Sequence, residues 1–153
     1  MCLGYFSNEG RPKLDAVLFS TNLSAKGSIK LLLDTGADIT SITLKDALRL
    51  GFNVDEIVTE ENCNLVEGVG GGTKVYPIID GVVFVFIDEM PELNKTSYHL
   101  EFLDRLYLIP TLQMSIFGRD LLQRLDIEIS FVPETINLKR NDFGGSGHIC
   151  FSV

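Results

Sequence analysis

The sequence predicts a small, mostly β, barrel-like single domain, and three observations lead there. Its 153 residues amount to about one domain at roughly 150 residues each. Short apolar or alternating runs broken by Gly, Pro and Asn recur along the chain, and only two stretches carry helical signals. The composition is 45% hydrophobic and 22% charged, that of a folded protein able to bury roughly 70% of its unfolded surface without a disulfide framework.

The elements follow in order. The start is polar and loose to about Pro12. Leu14 to Ser20 reads as a strand and Ser28 to Leu33 as another, apolar enough to be buried on both faces, with Asn22 to Gly27 as the turn. Thr43 fits a helix N-cap with Asp46 three positions on, although a full capping box has Glu or Gln there. Ala47, Leu48 and Leu50 continue that helix for about two turns, to Gly51. Asn64 to Glu67 runs into the cluster Gly68-Val69-Gly70-Gly71-Gly72 and out through Thr73 to Ile79, a hairpin with a mobile tip. Val82 to Ile87 and His99 to Leu108 are further strands, and Pro91 excludes the polar Asp88 to Thr96 segment from any central strand. A second short helix fits Asp120 to Leu125. Ile127 to Phe131 and Thr135 to Lys139 form a hairpin-like pair around Pro133, and Asn141 to Gly147 reads as a linker.

Charge and motif arithmetic then exclude whole classes of function. Thirteen Lys and Arg against twenty-one Asp and Glu leave a net charge of −8, with no basic cluster, so nucleic acid and anionic membranes are not expected partners. No apolar run approaches the ~20 residues of a membrane span. The first ten residues lack the basic and apolar segments of a secretory signal, so the expected location is cytoplasmic. Cys2, Cys63 and Cys150 are scattered and fit reduced thiols. A calcium loop starting at Asp34 fails at Ile39 and Lys45, and the dinucleotide fingerprint starting at Gly68 fails at Thr73. A P-loop fails at Gly72-Thr73-Lys74-Val75. Gly144-Gly145-Ser146-Gly147-His148 is no nucleophile elbow, since His148 stands where glycine is needed and no apolar strand precedes it. His99 and His148 with three dispersed cysteines offer no zinc site. No metal and no cofactor are expected.

Chemistry concentrates in Leu31-Leu32-Leu33-Asp34-Thr35-Gly36-Ala37-Asp38, where a carboxylate ends an apolar strand and so needs a partner or a purpose. Alone, an exposed turn aspartate explains it equally well. Three motifs in order change the weighing: Asp34-Thr35-Gly36-Ala37-Asp38, then Gly68-Val69-Gly70-Gly71-Gly72-Thr73-Lys74-Val75, then Ile116-Phe117-Gly118-Arg119-Asp120-Leu121-Leu122. Together they resemble the catalytic loop, the glycine-rich flap and the hydrophobic-hydrophobic-Gly segment of the retropepsins, the single-lobed aspartic proteases, over roughly residues 13 to 131.

The resemblance implies a small closed acid-protease barrel with one or two short helices, active as a symmetric dimer. It divides the chain into a loose segment 1–12, a protease domain 13–140 and a tail 141–153. It implies an aspartic endopeptidase in which Asp34, Thr35 and Gly36 form the catalytic loop and a second Asp34 comes from a second copy, since this chain holds one Asp-Thr-Gly. Two carboxylates a hydrogen bond apart cannot both ionise, so one serves as acid and one as base toward a water; aspartic proteases are a standard worked case of that principle. Thr35 would hydrogen-bond across the twofold axis, and Gly36 would let the backbones approach. Asp38 and Arg119 would pair near the dimer contact. The substrate would be an extended polypeptide, lined by Ala37, Asp38, Ile39, Gly68, Val69, Gly70, Gly71, Leu112 and Ile116. The chain departs from compact viral members in running on past Phe131, in the longer Asp88 to Thr96 insertion, in Asp120 for asparagine, and in the small, polar Gly72 and Thr73. The competing expectation is a non-catalytic dimeric peptide-binding or scaffolding module of the same fold.

Overall fold

The computed structural model describes residues 4–68, 71–90, 93–125, 127–131, 134–138 and 148–152. Alternation builds its sheet. In β2 (Pro12–Ser20) Leu14, Ala16, Leu18 and Ser20 are buried and the residues between them are not, as a strand with one face on a core requires. β2 pairs antiparallel with β3 (Lys26–Leu33). The Asn22 side chain shapes the turn between them, accepting from the Ser24 amide at 3.0 Å and from the Ser20 hydroxyl at 2.7 Å. The other edge of β2 takes β1 (Gly4–Phe6) near its start and β7 (Val82–Met90) near its end. Gly4–Phe6, expected to be loose, is a strand because the edge of β2 that β7 leaves free offers it backbone partners.

The remaining strands are β4 (Ser41–Ile42), β5 (Asn64–Gly68), β6 (Gly71–Ile78), β8 (Lys95–Leu103), β9 (Leu106–Leu108), β10 (Ile116–Phe117), β11 (Ile127–Phe131), β12 (Glu134–Leu138) and β13 (His148–Ser152). Among the described residues the main ladder runs β13-β8-β7-β2-β3-β10-β4-β9-β6-β5, and β11 pairs with β12 as a separate hairpin. The crossing that matters is β10. It lies parallel to β3, with Ile116 opposite Leu32 and Phe117 opposite Leu33, and antiparallel to β4 at Ser41. The chain leaving β3 and the chain leaving β10 therefore emerge side by side.

The sheet's inner face and the helices enclose one core. Leu18, Ile29, Leu31, Ile42, Phe84, Phe86 and Phe117 are almost wholly buried in it. Phe117 meets Phe86 edge-on, with ring centroids 5.6 Å apart, and Phe84 at 6.4 Å, the geometry that ring quadrupoles favour. This anchors β10 beneath the loops it positions. β8 inverts the usual pattern, burying Ser97, His99 and Glu101 while Phe102 is exposed; His99 Nε2 and Glu101 Oε1 are 2.8 Å apart.

Helix α1 (Leu44–Leu50) matches its two signals. The Thr43 hydroxyl accepts from the Asp46 amide at 3.0 Å, and Gly51 closes the helix at φ 94°. A further turn, α2 (Val54–Ile57), was not expected; four residues show no apolar period, and packing of Val54 and Ile57 against the core decides it. The second expected helix is α3 (Arg119–Leu122), shorter than Asp120 to Leu125 because Arg124 and Leu125 bond back only three residues, to Leu121 and Leu122. Two strand boundaries also differ. β7 and β8 stay paired through Asp88↔Ser97 to Met90↔Lys95, since ladder bonds need backbone and not apolar side chains; Pro91 lies outside the described residues. The single run expected over His99 to Leu108 breaks after Leu103, and Leu106 turns to pair with Ile78. In the expected tail, His148–Ser152 pairs with β8, while the linker at 141–147 and Pro133 lie outside the described residues. Among the described residues no helix is long and apolar enough to cross a membrane.

Candidate active site

Asp34 is the first residue beyond β3, where the apolar strand ends and its carboxylate reaches a half-buried position. The loop holds its own shape. Gly36 N donates to Asp34 Oδ1 at 2.9 Å, and Ala37 N donates to the Asp34 carbonyl at 3.2 Å, so the aspartate folds the turn that presents it. Asp34 N donates to the Phe117 carbonyl at 3.2 Å, tying the loop to β10. Asp34 Oδ2 takes no hydrogen bond among the described residues and is free to engage a reacting group.

Two cross-links fasten this loop to the segment after β10. Arg119 Nη2 bonds to Asp38 Oδ1, as the expected pair requires, and Arg119 N donates to the Ala37 carbonyl at 2.8 Å. Both side chains are largely exposed, at 52% and 75%, so the backbone bond and not the ion pair supplies most of the fastening. The second link was not foreseen. Asp120 receives Thr40 N on Oδ2 at 2.9 Å, and Thr40 Oγ1 at 2.6 Å and Leu121 N at 2.9 Å on Oδ1. Thr40 Oγ1 in turn accepts from Gly118 N at 3.0 Å. Thr40 is wholly buried, and a buried hydroxyl must find such partners. An aspartate opening a helix and a threonine just before a short strand were the available signals, but they stand eighty residues apart.

Glycine at 118 is a packing requirement. A Cβ there would sit 2.4 Å from the Ile39 carbonyl carbon and 2.5 Å from its oxygen, so only a residue without one lets the two loops touch. At Gly36 the same test finds Asp34 Oδ1 at 3.2 Å, a tight fit that a small shift relieves.

The loop borders a cleft of about 790 Å³ whose far wall is the β5–β6 hairpin. Ala37, Asp38, Ile39, Gly68, Leu112 and Ile116 line it, together with Gly36. Sequence reading missed Leu65 and Val66 of β5, Thr73 and Val75 of β6, and Tyr107 and Ile109, all on its walls. Asp34 and Thr35 stand at the loop's root and do not line it. Gly71 is exposed at φ 115° and opens β6 outside the lining; Val69 and Gly70 lie outside the described residues. Among the described residues no group of three or more His, Cys, Asp or Glu side chains is placed to hold a metal.

Residues 9–130 match the family model for the retroviral aspartyl protease. The fold is that of a retropepsin-like aspartic protease from Rickettsia conorii, with 20% identity over 88% of this chain and 95% of that one and a TM-score of 0.52. The chain is also similar to the EIAV protease complexed with the inhibitor HBY-793, at 19% identity over 78% of this chain and 91% of that one, with a TM-score of 0.43. No curated protein matches the chain.

Proposed function

Because the chain belongs to the retroviral aspartyl protease family, we propose that it is a homodimeric aspartic endopeptidase in which Asp34 of each copy supplies one catalytic carboxylate. The observation that carries this is Asp34 itself, with Oδ2 uncommitted, at the root of a loop that borders the cleft and is fastened to β10 at one end and to the segment after β10 at the other. One carboxylate cannot be acid and base in the same step. Twofold symmetry places a residue near the axis against its own copy, which supplies the second without a second motif.

The paired carboxylates would share one proton, because two negative charges at hydrogen-bond distance are too costly. The ionised member takes a proton from a water held between them while the protonated member hydrogen-bonds the scissile carbonyl oxygen, and water oxygen adds to the carbonyl carbon. Proton return to the departing nitrogen then breaks the C–N bond. Thr35 and Gly36 hold the two loops together, with Asp38 and Arg119 bracing them from outside. The β5–β6 hairpin acts as a flap over an extended polypeptide, whose side chains meet Ala37, Ile39, Gly68, Leu112 and Ile116, with Val69, Gly70 and Gly71 at the flap tip. The catalytic domain spans 13–140.

Mass-spectrometric detection of cuts in a diverse peptide mixture between about pH 3 and 8 tests this, with Asp34→Asn as the matched control. Cleavage by the wild-type chain alone is expected. Equal cleavage by both proteins would refute the mechanism, and silence from both at concentrations where sedimentation shows a dimer would favour a non-catalytic peptide-binding module.

A further inference from the structure

The cleft beside Asp34 carries charge of one sign. Among its described lining residues the charged ones are Asp38 and Glu67, and no Lys, Arg or His joins them. Asp38 already has a cation, because its Oδ1 bonds to Arg119 Nη2. Glu67 has none.

Its isolation follows from where the sequence puts it. All five residues of β5 are exposed, and β5 ends the ladder among the described residues. Both faces of the strand therefore border the cleft, Val66 from one and Leu65 and Glu67 from the other. Directly opposite Glu67 is Gly72, and the residue after it is Gly68, neither of which has a side chain to pair with it or cover it. Lys74 is the only basic residue between Asn64 and Ile78. It stands opposite Leu65, on the same face as Glu67, but it does not line the cleft and makes no ion pair with Glu67 among the described residues. In open water an unpaired surface carboxylate costs little. It gains weight when a ligand brings a cation against it and the apolar walls, Ile39, Val75, Ile109 and Ile116 among them, shed their water.

We propose that Glu67 selects the substrate: on the reading of this cleft as a peptidase site, the polypeptide it takes carries a Lys or Arg at a fixed distance from the cut bond, placed to meet Glu67. The long stem of such a side chain lies along Leu65 and Val66 while its charge reaches the carboxylate. An acidic residue at that place meets a like charge with no cation between them and is disfavoured. Each copy in a twofold dimer brings its own Glu67, so the preference falls on both sides of the cut. The net charge of −8 favours approach of a cationic segment from a distance.

Digestion of a peptide library by the full wild-type chain should give cuts with Lys or Arg enriched at one distance on either side. For two cleaved peptides differing only in Lys or Glu at that place, kcat/KM should favour Lys about fivefold, and less in about 0.5 M salt. Glu67→Gln should bring this ratio near one and Glu67→Lys should invert it, whereas Asp38→Asn should leave it standing. A ratio is read within one preparation, so partial loss of folded protein does not imitate the effect. Equal kcat/KM for the two peptides, or a preference kept by Glu67→Gln and lost in Asp38→Asn, would overturn the proposal. Absence of any cut by the wild-type chain instead refutes the protease reading. Glu67 is then tested by binding: two capped apolar octapeptides, one bearing two Lys and the other two Glu, are titrated onto the full Asp34→Asn chain. The Lys peptide should shift the Glu67 amide resonance at lower concentration, and equal binding, or none at millimolar peptide, would overturn the role given to Glu67.

Discussion

At Thr40 one hydroxyl bridges two segments that stand eighty residues apart in the chain and side by side in the sheet. It gives its proton to Asp120 and accepts one from Gly118 N, so Thr40→Val strands the buried Gly118 amide and leaves Asp120 Oδ1 with the Leu121 amide alone. The expected cost is about 2 kcal/mol, read as a lowered denaturant midpoint with unchanged slope. Activity should fall with it, because the same bridge holds the loop carrying Asp34. Gly118→Ala is a stricter case. The added carbon meets backbone at 2.4 Å, and no rotamer relieves a backbone clash, so a loss of about 3 kcal/mol or more or failure to accumulate as folded protein is expected. By contrast Asp38→Asn, on an exposed pair, should cost under about 1 kcal/mol; circular dichroism melts of the three variants order these effects. Asp34 was legible because an apolar strand ending in a carboxylate is an anomaly visible locally. The Thr40–Asp120 link was not, since neither residue is unusual among its own neighbours.

Helix α1 shows what an element's signals can and cannot carry. Its boundaries were legible from Thr43 and Gly51, each of which acts on backbone within four residues. Its role as a clamp was not, because Ser115, which donates to Asp46 Oδ2 at 2.6 Å and receives Thr43 N at 3.1 Å, arrives from a distant loop. The same distinction separates the β2–β3 hairpin, read correctly from its turn, from β13 on β8, a pairing between segments about fifty residues apart that no local pattern encodes. Burial raises the Asp46 carboxyl pKa, but hydrogen bonds from Ser115, Arg49 and Thr43 and the Arg49 charge outweigh it, leaving it below its ordinary 3.8. A pKa lowered by folding means the ionised form is favoured in the native state. Its stabilisation is therefore complete above the ordinary value and disappears as pH falls through the lowered one. Asp46→Asn should destabilise the chain at about pH 6 and progressively less toward about pH 2, measured by urea midpoints of both proteins across that range. A constant difference at all pH values would show that the carboxylate's charge contributes nothing.

For the whole molecule the decisive quantity is how many chains make one site. The single Asp-Thr-Gly and the one-lobed size were readable in the sequence as grounds to expect a second copy, and a lone chain holds no second copy in which to test that expectation. Mixing reports it. If each site needs two Asp34 carboxylates, Asp34→Asn chains added in equal amount pair at random with wild-type chains, and only about a quarter of the dimers are wild-type on both sides. Wild-type chains then retain about half of their specific activity, falling further with excess variant after subunits have exchanged. Specific activity should also rise with total concentration until dimers saturate. A chain that cut peptides on its own would ignore the added variant and show no dependence on concentration, because Asp34→Asn leaves the loop's backbone bonds to β10 and Arg119 in place and removes only the charge. The titration thus separates a shared site from a single-chain one without knowledge of the natural substrate, provided any cleavable peptide is in hand.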